Sequence, residues 1–157
     1  MTVPAQDRAA LTDLVHRYAA GVDDRQFDAV AALFTDDAEL IVPAPPDILT
    51  PVRAHRGRPA IATALAAVAA VTRTEHAIVG EVYDAGPPLS DTLYGRVACV
   101  AHHWTQGADG ALDVAWHLRY DDEYASTADG WRIRRRALTV HAIETRRVRR
   151  LLPPDRG

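Results

Sequence analysis

The chain has 157 residues, 48% of them hydrophobic, and a formal net charge of −3, which suits a single domain with one substantial core. No apolar stretch approaches the roughly 20 residues that a bilayer crossing needs, and the segment from Met1 to Asp7 has no basic stretch followed by an apolar one, so a cytoplasmic protein without a membrane partner is expected. Cys99 stands alone, which excludes an intrachain disulfide and a multi-cysteine zinc site, and its apolar surroundings point to an inert core thiol.

The first half of the chain reads as helical and the second as strand-rich, the α+β pattern. From Ala5 to Asp23, apolar residues at Leu11, Leu14, Val15, Tyr18, Ala19 and Val22 recur at helical spacing, and Asp7 favours the helix start. A shorter helix follows from Gln26 to Phe34, then a strand from Ala38 to Val42. Pro43, Pro45, Pro46 and Pro51 predict a loop that could act as a lid, since proline lacks an N–H and fixes φ. A third helix is expected from Arg58 to Val71, with Pro59 suited to its first turn.

Four longer strands are predicted at Glu75 to Tyr83, Thr92 to Trp104, Leu112 to Ala125 and Gly130 to Ile143, separated by glycine-containing turns. Alternation sorts their faces. In the second of them Leu93, Gly95, Val97, Cys99, Ala101 and His103 share the inner side, against Tyr94, Arg96, His102 and Trp104. In the third, Leu112, Val114, Trp116, Leu118 and Tyr120 face in, which makes Trp116, Leu118 and Tyr120 pocket candidates, with Val42 and Phe34 from the first half. Asp113, His117, Arg119, Asp121 and Glu123 face out.

Two arginine clusters stand near the C-terminus, Arg132 with Arg134 to Arg136 and Arg146-Arg147 with Arg149-Arg150, and all 18 basic residues are arginine. Cross-strand pairing of Arg132, Arg134 and Arg136 with Asp121 and Glu123 on an outer face accounts for the first cluster better than a nucleic-acid partner. Arg135 falls on the side of Trp131 and Ile133. A bulge would exchange Arg135 and Arg136, and the facing of Leu138 and Val140 implies such a shift. Exposed Tyr94, Val100 and Trp104 on one side of a strand suggest a homodimer. The domain is expected over residues 1–145, with a tail over 146–157.

His76, in Thr74-Glu75-His76, carries the chemistry. A histidine whose one ring nitrogen is held by a carboxylate has a fixed tautomer and a free nitrogen to take a proton. Asp23, on the upstream helix, is the carboxylate candidate, although its position also suits a helix or turn cap. Tyr18 lies on the same helical face, where a core role is equally natural. His102 and His103 point to opposite sides of their strand and so cannot chelate one metal; no metal and no cofactor is expected.

The run Gly21-Val22-Asp23-Asp24-Arg25-Gln26-Phe27, the following Leu33-Phe34-Thr35-Asp36-Asp37-Ala38, then Thr74-Glu75-His76 and Asp129-Gly130-Trp131-Arg132-Ile133 resemble the SnoaL-like branch of the NTF2-like superfamily over about residues 7 to 143. The resemblance implies a cone of three N-terminal helices packed on a strongly curved antiparallel sheet enclosing a pocket. Its site is most similar to those of scytalone dehydratase and the bile-acid 7α-dehydratases, whose Asp-His pair maps onto Asp23 and His76. Scytalone dehydratase's second histidine maps onto His103, and the bile-acid enzymes' tyrosine onto Tyr18. The tyrosines that hold a water in scytalone dehydratase map onto Val22 and Val42, so scytalone itself is not the expected substrate.

What the resemblance implies is syn elimination of water beside a carbonyl, on a small hydrophobic natural-product intermediate of polyketide or terpenoid type. His76 would take the α proton, Tyr18 or a bound water would stabilise the enolate, and His103 could protonate the departing hydroxyl. An isomerase or cyclase using the same base and a non-catalytic binding protein remain the alternatives. An epoxide hydrolase is disfavoured, because its Asp-Arg-Asp constellation has no clear counterpart here.

Overall fold

Leu11, Leu14, Val15, Tyr18, Ala19 and Val22 form one buried stripe of α1 (Ala5–Asp23), and burying each of the larger of these side chains stabilises the fold by about 1.5–3 kcal/mol. The computed structural model describes residues 2–154. After α1 come α2 (Phe27–Ala31), β1 (Phe34–Ala44), β2 (Ile48–Arg56) and α3 (Arg58–Leu65), the last tightening into a 3-10 turn over Ala66–Ala70. The strands β3 (Arg73–Ala85), β4 (Thr92–Gly107), β5 (Gly110–Thr127) and β6 (Gly130–Val148) complete the chain. One six-stranded sheet results, in the order β2-β1-β6-β5-β4-β3. It is antiparallel except where β1 lies parallel to β6, with Leu40 opposite Arg136. The sheet is not closed, so β2 and β3 are its two edges.

The helices cover the concave face. Trp131 donates its indole N–H to Asp7 at 3.0 Å, fixing the start of α1 on β6. Thr12 donates to Glu81 at 2.9 Å and the His16 ring lies 2.8 Å from the same carboxylate, fixing its middle on β3. No helix among the described residues is long and apolar enough to cross a membrane.

Three sequence expectations give way here. The proline-rich stretch expected as a loop is a hairpin: β1 continues to Ala44 and β2 pairs back along it, Val42 opposite Arg53 and Leu40 opposite His55. The prolines fit because Pro45-Pro46 lie at the turn, Pro43 falls where the β1–β2 register shifts between Val42 and Ala44, and Pro51 lies on β2, an edge strand. The second helix stops at Ala31, so Phe34 opens β1 opposite Ile133 and is fully buried. Arg136, expected on the outer face, is inside and fully buried.

The β6 register explains Arg136. Glu123 pairs with Arg135 but Tyr124 with Ile133, leaving Arg134 as an extra residue; further on, His117 pairs with Ala142 but Leu118 with Val140, leaving His141. Each bulge shifts the facing by one. Ile133 points in before the first bulge, Arg136, Leu138 and Val140 after it, and Ile143 opposite Trp116 after the second. Arg134 is left outside, paired with Glu123 at 3.0 Å. β6 itself runs on to Val148, with Arg146 opposite Asp113 and Arg147 opposite Leu112.

Inside, Arg136 donates from Nε to Asp122 Oδ1 at 2.8 Å and from Nη2 to Asp122 Oδ2 at 2.6 Å. Tyr124 donates its hydroxyl to Asp122 Oδ2 at 2.6 Å. The guanidinium lies 4.1 Å from the ring centroids of both Tyr18 and Tyr120, close enough for a cation–π contact with each. Burial by itself would lower the Arg136 pKa, but the Asp122 carboxylate more than offsets it and holds the value well above the usual one. Gly95 makes room nearby: a Cβ there would sit 2.8 Å from the Tyr124 ring.

Removing one member of a buried ion pair strands the other charge, at a cost of about 3–5 kcal/mol. Arg136→Met should therefore lower stability by that amount in urea denaturation, and adding Asp122→Asn should recover part of the loss by removing the stranded charge.

Candidate active site

α1 ends at Asp23, and its carboxylate is used twice by one residue of β3. Oδ2 accepts the main-chain N–H of His76 at 2.8 Å, and Oδ1 lies 2.7 Å from His76 Nδ1. A carboxylate on Nδ1 assigns the proton to that nitrogen and leaves Nε2 as the lone-pair nitrogen. The His76 side chain is only 8% exposed, and Asp23 21%. Arg25, at positive φ just beyond the helix, braces the join by donating to Val71 O at 3.1 Å and Thr74 Oγ1 at 3.0 Å.

A cavity of about 530 Å³ opens against this pair, within the range of small-molecule sites. Tyr18 and Val22 of α1, Leu40 and Val42 of β1, Ala64, Leu65 and Val68 around the end of α3, and Trp116, Leu118, Tyr120 and Leu138 of the sheet make its wall largely apolar. His76 and His103 supply imidazoles at the β3–β4 side, 6.3 Å apart between ring centroids and roughly perpendicular. His103 rests against Trp116, with centroids 4.6 Å apart. Val22 and Val42 add apolar wall.

The structure thus brings Tyr18, Asp23, His76, His103, Trp116, Leu118, Tyr120 and Val42 together around one cavity, with Asp23 behind His76. Phe34 is the exception. It lies beneath Tyr18, edge to face at 6.1 Å, and does not reach the cavity, because the early end of α2 turns its ring into the core.

The His103 ring nitrogen Nδ1 lies 2.9 Å from Val114 O, so Nδ1 carries the proton and Nε2 is an acceptor. Burial lowers the His103 pKa, only partly opposed by the Val114 carbonyl. A ring with this tautomer presents Nε2 as an acceptor for a ligand hydroxyl, and the lowered pKa makes its protonated form less readily available. Tyr18 is fully buried, and that burial raises its pKa against the opposing pull of Arg136, so it remains a neutral O–H donor at physiological pH. Burial likewise raises Tyr120, and it pushes the Cys99 thiol up to about 12.

Sequence reading missed Arg53 and His55, which line the cavity from β2. The signal was their spacing of two beside Val42 and Leu40, hidden by the prolines around them. On the outer face, His102 Nδ1 lies 2.7 Å from Asp113 Oδ2 and His102 stacks on Trp104 at 5.2 Å, which accounts for Asp113 being buried on a side expected to be exposed. Leu112, expected inside, is 43% exposed because it lies near the strand end, beyond the cavity. Tyr94 is 39% exposed.

The depressed His103 pKa has a consequence for stability. The unfolded chain binds a proton on this ring more readily than the folded chain does, so the contribution is complete above the ordinary value of 6.5 and is lost as pH falls through the lower folded value. In thermal melts at pH 7.5 and pH 5, His103→Gln should lose less stability on acidification than the unaltered protein.

Comparison with known proteins places the fold. A protein from Kribbella flavida, Kfla4162, is 28% identical and superposes with a TM-score of 0.73 over 88% of this chain and 93% of its own. A candidate scytalone dehydratase from Novosphingobium aromaticivorans is 21% identical, with a TM-score of 0.72 over 96% of this chain and 94% of its own. A Type2 hexachlorocyclohexane dehydrochlorinase is 20% identical, with a TM-score of 0.72 over 94% and 93%. These last two are likenesses of fold. No match is found among curated proteins. Helices followed by a curved six-stranded sheet make the α+β NTF2-like fold. Because the SnoaL-like domain model matches residues 4–137, most of the chain, the protein belongs to the SnoaL-like domain family.

Proposed function

We propose that the protein is a cofactor-independent lyase that removes a proton beside a carbonyl and expels water from a cyclic, largely apolar natural-product intermediate. The observation that carries this reading is the Asp23–His76 pair: Nδ1 is held by a carboxylate at 2.7 Å, and the ring lines an apolar cavity of about 530 Å³. Neutral His76 takes the α proton on Nε2, and the imidazolium that forms is stabilised by Asp23. The electron pair moves to the carbonyl oxygen, where the Tyr18 hydroxyl donates. Collapse of the enolate breaks the C–O bond, and His76 returns the same proton to the departing hydroxyl, so product and water leave with the enzyme unchanged. His103, neutral, accepts a hydrogen bond from the hydroxyl through Nε2 and orients it.

Two relatives of the same fold carry names that denote elimination, a candidate scytalone dehydratase and a hexachlorocyclohexane dehydrochlorinase, and both names imply loss of a proton with a leaving group. Isomerisation or cyclisation would begin with the same proton abstraction and differ only in how the enolate is consumed. General base catalysis of this kind contributes about 10² to 10⁴ in rate, which matches an activated C–H bond.

The test is a panel of cyclic β-hydroxy ketones, followed by product formation and by deuterium incorporation from D₂O at the α carbon. Asp23→Asn and His76→Ala should each lower the rate about a hundredfold or more, and the double variant should cost little beyond the worse single one, because the two side chains act as a unit. Normal turnover by His76→Ala would overturn the mechanism. In a separate measurement, binding of an unreactive cyclic ketone should change the emission of Trp116, and Trp116→Phe should remove that change while the other tryptophans remain.

A further inference from the structure

The cavity wall is polar at opposite edges of the sheet. His76 and His103 belong to β3 and β4; Arg53 and His55 belong to β2, the other edge, and lie beside Val42 and Leu40 in the β1–β2 register. Among the described residues no carboxylate lines the cavity, since Asp23 stands behind His76. Neighbouring arginines are compensated: Arg56 meets Glu39 at 3.2 Å and Arg58 meets Asp36 at 2.7 Å. The side chains of Arg53 and His55 have no hydrogen-bond or ion-pair partner among the described residues. A guanidinium on a largely apolar wall, without a counter-charge among the described residues, favours an anion in that position, and its planar fork matches a carboxylate.

We infer that Arg53 and His55 form a carboxylate-binding subsite, so that the substrate is an apolar ring system with its reacting C–H at the His76 end and an acid group at the β2 edge. This rests on the proton-transfer reading of the same cavity and narrows its substrate class to cyclic keto acids. It also assigns a purpose to the proline-rich hairpin: the edge strand carries the groups that read one end of the ligand, while the rigid strands carry the chemistry. Arg53 is exposed and His55 half-buried, as suits groups that meet a charged substituent where water still reaches it.

The experiment measures binding without turnover. N-phenyl-1-naphthylamine, a neutral dye that fluoresces in apolar sites, is displaced by 2-naphthoate or by 2-naphthamide, which share a shape and differ in charge. The unaltered protein should bind naphthoate about tenfold more tightly than naphthamide, and the preference should shrink between 50 mM and 500 mM salt because part of it is an exposed charge interaction. Arg53→Gln should abolish most of the preference while leaving naphthamide within about twofold; Arg53→Lys should retain part of it, and His55→Gln should weaken naphthoate alone. Equal affinity for the two competitors in the unaltered protein, or an Arg53→Gln variant that weakens both alike, would overturn the subsite. His76→Ala should keep the preference, so a failed subsite and a failed proton-transfer mechanism give different results.

Discussion

One carboxylate joins the two halves of the molecule. Asp23 closes α1, and both of its oxygens are taken by His76, one by the main chain at 2.8 Å and one by the ring at 2.7 Å. The main-chain bond sets where α1 meets the start of β3, and the ring bond sets the tautomer and direction of the imidazole. Position and chemistry therefore share a cause: a shift of the helix end large enough to lose the ring bond would strain the main-chain bond as well. Arg25 spans the same junction to Val71 and Thr74, so the orientation of the imidazole does not depend on a single contact.

Beneath the cavity, a second charged group organises the opposite wall. Arg136 fills the space between Tyr18 and Tyr120, and its Asp122 partner is held in turn by Tyr124. Burying such a pair brings little net stability, whereas breaking it is costly. Its effect is on placement: Tyr18, which lines the cavity, lies along the guanidinium. The pair exists because Arg134 is bulged out of β6, which turns Arg136 inward. A bulge in one edge of a ladder thus reaches the proposed reaction site through two aromatic rings.

The cavity has a division of labour across the sheet. Long central strands with continuous registers hold Trp116, Leu118, Tyr120 and His103 on one face, and alternation along a regular strand made these residues legible in advance. The edge hairpin was not legible, because proline density normally marks a loop, and only the β1–β2 register, with Pro43 at its shift, Pro45-Pro46 at the turn and Pro51 on the edge strand, makes the prolines compatible with pairing. Arg53 and His55 were overlooked for that reason. Phe34 was misplaced for a related one: its spacing from Phe27, Val30 and Ala31 continues a helical stripe, but the backbone turns to pair with β6 before the stripe is complete.

By itself, the sequence determined the buried stripe of α1, the inner faces of β4 and β5, the α+β order of elements and the residues from which a carboxylate and a histidine had to be chosen, because these follow from local periodicity and side-chain chemistry. Only the tertiary structure decided that Asp23 reaches His76, that the His103 ring is held half-buried against the Val114 carbonyl and that Arg136 points inward against Asp122. Each of these depends on contacts between residues distant in the chain, on burial that shifts proton affinity, or on bulges whose register is set by a neighbouring strand, and none of those is written in the spacing of one segment.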